Sequence, residues 1–294
     1  MTFSIVIATR DRAEFLERAL ASLELQADAP DFEVVVADNG SSDRTQDVVR
    51  DVGARGKLNV RALFVPDPNR GAARNAGIAE ATGRYVLFVD DDVVLPSGFV
   101  AAHAAAHRGT FPLAVSGPII NVPGYDARPV PKAVNYSAAF FCTCNVSVPR
   151  SSLVAAGAFD ETFDLYGWED TELGLRLRKR GVRRAFAWDA YLWHIKPPRV
   201  ETLDSVLAKT VERARMAARF LRKDASLRTK LATGAYGFNL FRSRLFAPRW
   251  SLGAYRRLAT SARVPAFLRA LGRAQLLDGT YTSTLRRALA ERGP

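Results

Sequence analysis

Four short apolar runs separated by polar turns and helix-like stretches constrain this chain more than any other feature of it. The runs are Phe3-Ser4-Ile5-Val6-Ile7-Ala8, Glu33-Val34-Val35-Val36-Ala37, Val60-Arg61-Ala62-Leu63-Phe64-Val65 and Tyr85-Val86-Leu87-Phe88-Val89. They are short and rich in β-branched and aromatic residues, so all four read as strands, the first two as buried ones. After the first, Phe15, Leu16, Ala19, Leu20 and Leu23 recur at helical spacing; after the third, Pro66 stops the strand and residues 71–81 form an Ala-rich helix. Strand alternating with helix in this way predicts an α/β fold, a doubly wound and mostly parallel sheet flanked by helices, with right-handed crossovers. Such sheets bind ligands at the carboxyl ends of their strands. Three polar clusters follow strands here: Thr9-Arg10-Asp11, Asp38 through Asp43, and Asp90-Asp91-Asp92. All three are therefore expected on one edge.

Beyond about residue 110 the alternation weakens. Gly117, Pro118, Pro123, Gly124, Pro129 and Pro131 predict a loop-rich stretch. Helices are expected near Pro149–Ala156 and over Thr171–Arg180, the latter ended by Gly181, with a last strand at Ala185–Trp188 leading to His194. Pro197-Pro198 then breaks the chain, and the remainder reads as helical. Over 201–223, Leu203, Val206, Leu207, Val211, Ala214, Ala218 and Leu221 fall roughly along one face. Charge changes at the same place: residues 1–194 hold 21 Lys/Arg against 24 Asp/Glu, a net of −3, while 195–294 hold 21 against 6, a net of +15. A basic third of this kind suits nucleic acid, anionic lipid or a phosphorylated acceptor, or is simply a solvated helical face. No run approaches the ~18 apolar residues of a membrane span. The opening Met1-Thr2-Phe3-Ser4 lacks a basic leader, so no secretory signal and a cytoplasmic compartment are expected. Cys142 and Cys144 lack partners at zinc spacing and are expected as reduced thiols on alternate faces of a strand.

Three successive carboxylates directly after a buried strand repel one another and call for a cation. Hard oxygen ligands suit Mg²⁺ or Mn²⁺ held together with a substrate's phosphates, and in an extended segment Asp90 and Asp92 point the same way. Asp38 sits where its carboxylate can accept from a ribose or base, although Asp-Asn-Gly read alone is a turn. No phosphate-binding Gly-Lys-Ser/Thr loop follows a strand, and no Gly-x-Gly-x-x-Gly, which removes the nicotinamide-binding reading. Trp168-Glu169-Asp170-Thr171-Glu172 opens a helix. There the dipole keeps the carboxylates ionised, as a general base needs, and the same pair also reads as an acidic cap. His194, alone among Tyr191, Leu192 and Trp193, reads as a satisfied core residue or as a metal ligand, the second gaining from the lack of other candidates; His103 and His107, in an Ala-rich helix, read as superficial.

Taken in order, Ser4 through Arg10, Val36 through Asp43, Arg70 through Gly77, Phe88 through Asp92, Asn145 through Arg150, Gly167 through Asp170 and His194 resemble glycosyltransferase family 2 over about residues 3–195. These are inverting, metal-dependent sugar transferases of GT-A fold. The resemblance implies a catalytic domain at 1–196, with a nucleotide-sugar half at about 1–110 and an acceptor half at about 111–196, followed by a basic helical region at 197–294. It implies that Thr9, Arg10, Asp38, Arg74, Asp90 and Asp91 line the donor nucleotide, and that Asp92 and His194 hold Mn²⁺ or Mg²⁺. Asp170 would be the general base with Glu169 beside it, and Trp168 and Asn145 would meet the acceptor. The donor would be a nucleoside-diphosphate sugar and the acceptor a glycan or lipid-linked hydroxyl, in cell-envelope or exported-glycan assembly. Where the family often carries Pro-Thr-Tyr-Asn, this chain has Ala8-Thr9-Arg10-Asp11, which bears on the base contacts. Two other classes stand beside this one: a sugar nucleotidyltransferase, marked by pyrophosphate release, and a nucleic-acid-binding protein, supported by charge alone. The aromatic and basic residues from Phe238 to Trp250 suit peripheral contact with the inner face of the plasma membrane, or a homo-oligomer interface.

Overall fold

A computed structural model describes residues 2–66, 69–198 and 201–291. The first four strands and their helices are β1 (Phe3–Thr9), α1 (Ala13–Glu24), β2 (Phe32–Asp38), α2 (Thr45–Ala54), β3 (Val60–Phe64), α3 (Arg70–Glu80) and β4 (Tyr85–Val89). There follow β5 (Val93–Val94), α4 (Phe99–Ala106), β6 (Leu113–Ser116), β7 (Ile119–Val122), β8 (Asn145–Pro149), α5 (Arg150–Ala156), α6 (Glu169–Lys179), β9 (Arg183–Phe186) and β10 (Leu192–Ile195). The last third is helical: α7 (Leu203–Lys223), α8 (Leu227–Thr233), α9 (Gly237–Phe246), α10 (Leu252–Thr260) and α11 (Ala266–Ala290).

The main sheet has the order β3-β2-β1-β4-β8-β6-β9. β1, β2, β3 and β4 are mutually parallel where they pair, and only β8 runs antiparallel to its neighbours β4 and β6. Alternation explains why the central strands are apolar throughout. Ile5, Ile7, Val34, Val36, Leu87 and Val89 pack on one face against α1, α2 and α4; Val6, Val35, Val86 and Phe88 pack on the other with residues of α3, α5 and α6. α3 lies close to β1, since a Cβ at Gly77 would stand 2.5 Å from Val6. One acidic residue is carried into this core. Glu33 sits opposite Ser4, accepts from Ser4 Oγ, Thr82 and Arg61, and is held down at a pKa of about 2 by those bonds against the cost of burial.

Three expectations need correction. The stretch after residue 110 is not loop alone: β6 joins the main sheet and β7 pairs with β10 in a second sheet of order β5-β10-β7. Cys142 and Cys144 do not alternate on a strand but occupy the turn that enters β8. His103 is not superficial. It is fully buried, its two ring nitrogens meet Ser147 Oγ and Asn145 Oδ1, and burial drives its pKa down to about 3; half-buried His107 bonds Ser147 and stacks on Tyr85. The cause is that α4 is Ala-rich on every side, so periodicity gives it no outer face.

The chain divides into two compact units, Met1–Asp164 with Glu169–Arg199, and Leu165–Trp168 with Val200–Pro294. Within the second, the later part of the expected α7 face is buried at Ala214, Ala218 and Leu221, with Leu285 and Ala288 of α11, while Leu203, Val206, Leu207 and Val211 are half-buried. Among the described residues no helix is long and apolar enough to cross a membrane.

Candidate active site

Strand polarity, not nearness in sequence, assembles the edge. β1 and β2 are in register from Phe3–Phe32 to Thr9–Asp38, and β4 runs parallel beside them, so the three end together with Asp90 following directly. Because β8 is antiparallel to β4, with Asn145 opposite Val89, the residues entering it, Thr143 and Cys144, arrive beside those leaving β4. β10 pairs with β5, placing His194 opposite Val93, and the Ile195 N–H donates to the Asp92 carbonyl at 2.8 Å. That pairing brings His194 Nε2 to 3.0 Å from Asp92 Oδ1.

The three aspartates divide their labour. Asp91 is buried, accepts from Thr9 Oγ1 at 2.7 Å and pairs with Arg12 at 2.6 Å; burial pushes its pKa up to about 6 against those partners. Arg12 also reaches Asp92 at 3.1 Å, so part of the charge that three carboxylates accumulate is met by this guanidinium. Burial opposes the charge of Asp92 as well. The hydrogen bond from His194 and the charges of His194, Arg12 and Lys196 outweigh it and hold the carboxyl below its usual range. Asp90 is the most open of the three.

Arg74 comes from α3, whose first turn is fixed by Asn69 accepting from the Ala72 N–H. Its guanidinium lies 3.9 Å from Asp90, 3.7 Å from Glu169 and 4.0 Å from Asp170, and stands over the Phe159 ring at 5.6 Å. Burial works against its charge, but the three carboxylates more than offset this and it stays a cation. Asp170 and Glu169 occupy the first turn of α6. Asp170 Oδ2 accepts from Thr143, from the backbone N–H at 2.9 Å and from Oγ1 at 3.0 Å. Burial raises the pKa of Asp170 in spite of Arg74 and Thr143, and burial together with Asp170 raises that of Glu169. Two buried atoms in this group have no hydrogen-bond partner: Arg74 Nη1 and Asp170 Oδ1. Buried polar groups are seldom left so, and a cationic donor beside an anionic acceptor fits a polar ligand.

One ligand atom each from Asp90, Cys144 and His194 lies within 4.8 Å of the other two. His194 Nδ1 faces Asn121 Oδ1 at 3.1 Å and can donate to it; Nε2, which here meets Asp92, is then the nitrogen a metal would take on losing its proton. The Asp90 carboxylate and the His194 imidazole, with Asp92 adjoining, fit a divalent cation such as Mn²⁺ or Mg²⁺. The Cys144 thiol beside them is buried, and burial and Asp90 push its pKa well up, which disfavours the thiolate a metal needs.

Not every residue expected at the site reaches this group. Asp38 is fully buried, and its two oxygens accept from the Ser41 N–H and Gln46 Nε2, so it ties its own turn to α2. Arg10 is exposed and lies 3.7 Å from Asp11. Asn145 is fully buried; its amide donates to the Ala190 carbonyl and its oxygen meets His103, so it braces the sheet from within. Trp168 belongs to the helical unit: its Nε1 donates to the Arg213 carbonyl at 2.9 Å, and the Arg213 guanidinium stands 5.2 Å from its ring. It does so at φ 78°, a left-handed conformation uncommon for a bulky residue. Conversely, Arg12, Thr143 and Cys144 escaped the sequence reading. Arg12 was legible in principle, being one position beyond the first polar cluster; Thr143 and Cys144 carry no local signal and depend on the β4–β8 pairing.

The same architecture recurs in solved proteins. Staphylococcus aureus TarS 1–349 in complex with UDP-GlcNAc aligns over 97% of this chain and 91% of its own, at 21% identity and a TM-score of 0.57. The mannosyltransferase PcManGT of Pyrobaculum calidifontis, in complex with GDP-Man and Mn²⁺, aligns over 99% and 88%, at 18% identity and a TM-score of 0.64. In sequence, residues 4–141 match glycosyl transferase family 2. Validoxylamine A glucosyltransferase of Streptomyces hygroscopicus subsp. limoneus is 31% identical over 271 residues, 78% of this chain and 58% of that protein. The chain therefore spans about six-tenths of the length of the curated relatives it matches first. This chain belongs to glycosyl transferase family 2 and has a GT-A-like fold.

Proposed function

We propose that this chain transfers a sugar from a nucleoside-diphosphate-sugar donor to an acceptor hydroxyl by a single displacement that inverts the anomeric carbon. The observation that carries the reading is a pair of buried atoms, Arg74 Nη1 and Asp170 Oδ1, that face each other at 4.0 Å with no hydrogen bond to either, at the edge where Asp90, Asp92 and His194 converge. Family membership supports it, as do the donors named for related folds, UDP-GlcNAc and GDP-Man, and the glucosyl transfer named for a relative.

Each residue has a task in this scheme. Thr143 holds Asp170 Oδ2, so Oδ1 is the oxygen that accepts the proton from the acceptor hydroxyl. The freed oxygen attacks the anomeric carbon, the bond from that carbon to the diphosphate breaks, and the nucleoside diphosphate leaves. Arg74 offsets part of the charge of Glu169 and Asp170 and offers Nη1 to the donor. Asp90, Asp92 and His194 would hold Mn²⁺ or Mg²⁺; when bound, the cation offsets the negative charge that develops on the leaving diphosphate. Thr9 and Arg12 orient Asp91 and, through Arg12, Asp92 behind it. The acceptor is a glycan or lipid-linked hydroxyl, in assembly of envelope or exported glycans. The test is transfer and donor hydrolysis across UDP-, GDP- and dTDP-sugars with Mn²⁺. Asp170→Asn should lower kcat by about 10²–10⁴-fold with donor affinity kept. A variant with unchanged kcat, or a retained anomeric configuration in the product, would remove Asp170 from this role.

A further inference from the structure

Helix α9 is built inside out. Ser243 is fully buried and bonds Thr282 of α11, Arg242 bonds Asp278 of α11, and Asn239 donates to the Gly234 carbonyl. Polar side chains thus hold this helix to its unit. Its apolar ones point away: Phe238, Phe241 and Leu245 follow at i, i+3 and i+7, one stripe, with relative exposures of 73%, 66% and 61%. Just beyond the helix, in the turn Arg249–Ser251, Trp250 is 87% exposed. A helix of a globular protein ordinarily shows the reverse arrangement, and an exposed apolar stripe marks a place where something docks.

Charge says what. From residue 225 to residue 277 the chain has ten Lys/Arg and no Asp or Glu. Arg244 within α9 and Arg249 just beyond it are exposed, as is Lys230 of α8. A second copy would bring the same cations face to face. A nucleic acid would find rings to stack on, but nothing for Leu245 to do. An anionic phospholipid surface satisfies both halves, its acyl boundary taking the rings and Leu245 and its headgroups the cations. We propose that α9 and the Arg249–Ser251 turn seat this chain on an anionic bilayer, lying in the interface rather than crossing it. The residues concerned take no part in sugar transfer, so the inference stands or falls apart from that reading.

The experiment is co-sedimentation of the full chain with vesicles of phosphatidylcholine, with and without phosphatidylglycerol, at low and high salt. Wild type should bind only the phosphatidylglycerol vesicles and less so in high salt, with a blue shift in emission that Trp250→Phe removes. Phe241→Ser/Leu245→Ser should bind at least tenfold more weakly while melting at the wild-type temperature, because both side chains are already exposed. Four results would overturn the proposal: no binding to anionic vesicles, equal binding by the double variant, conversion of a dimer to a monomer by the same substitutions, or tighter binding of single-stranded oligonucleotide that they abolish.

Discussion

Asp170, the proposed general base, shows how much of a side chain's behaviour is set by residues that sequence motifs do not mark. Its place in the first turn of α6 was readable from Trp168-Glu169-Asp170 and the helical run behind it. The hydroxyl and N–H that hold one of its oxygens were not, because Thr143 reaches it only through the antiparallel pairing of β8 with β4. The direction of its pKa follows from this setting: burial raises it, while Thr143 and Arg74 pull it back. A general base must be ionised, so the rate falls as pH drops through its pKa, and the acid limb of kcat/KM should lie above the usual carboxylate range. Thr143→Ala removes a hydrogen bond to the charged form and raises the pKa further, so the limb should move to higher pH with the plateau rate less affected. A pH–rate profile of the two proteins decides this; a limb that stays put would separate Thr143 from Asp170. The same lesson holds at Asp38 and Asn145. Bonds that the sequence does not mark hold these side chains too, Asp38 to its own turn and to Gln46, and Asn145 to Ala190 and His103.

Among the elements, β1, β2 and β4 were legible because they are buried on both faces and bounded by turn residues. β6 and β7 were not, being four residues each and set among prolines and glycines, and β10 showed only as a strand-like setting around His194. Yet β10 delivers His194, and its position depends on Gly117. A Cβ there would stand 1.8 Å from the Ala190 carbonyl oxygen and 2.9 Å from that of Ala187, both backbone atoms of the turn leading into β10. The Ala187 N–H is also bound to the Ser116 carbonyl, so this turn has no room to yield. Gly117→Ala should therefore cost about 3 kcal/mol or more. Gly124→Ala, which meets nothing within 4 Å, should stay within about 0.5 kcal/mol. Denaturant melts of both variants test this, and equal stabilities would mean that β10 is not braced at this point.

For the molecule as a whole, the charge division near residue 195 marks a real change of architecture, from an α/β unit to a helical one. The sequence showed that change plainly, and showed the edge on which the polar clusters gather. What it could not show is which cluster residues face a ligand and which face one another, since that depends on pairings between distant strands. The central claim is that this edge binds a nucleoside diphosphate together with a divalent cation. Calorimetric titration of UDP, GDP and dTDP, with and without Mn²⁺, into wild type and Asp92→Ala tests it most directly. Affinity for one nucleotide should rise at least tenfold with Mn²⁺, and that gain should vanish in the variant. Binding that is indifferent to both metal and substitution would contradict the account.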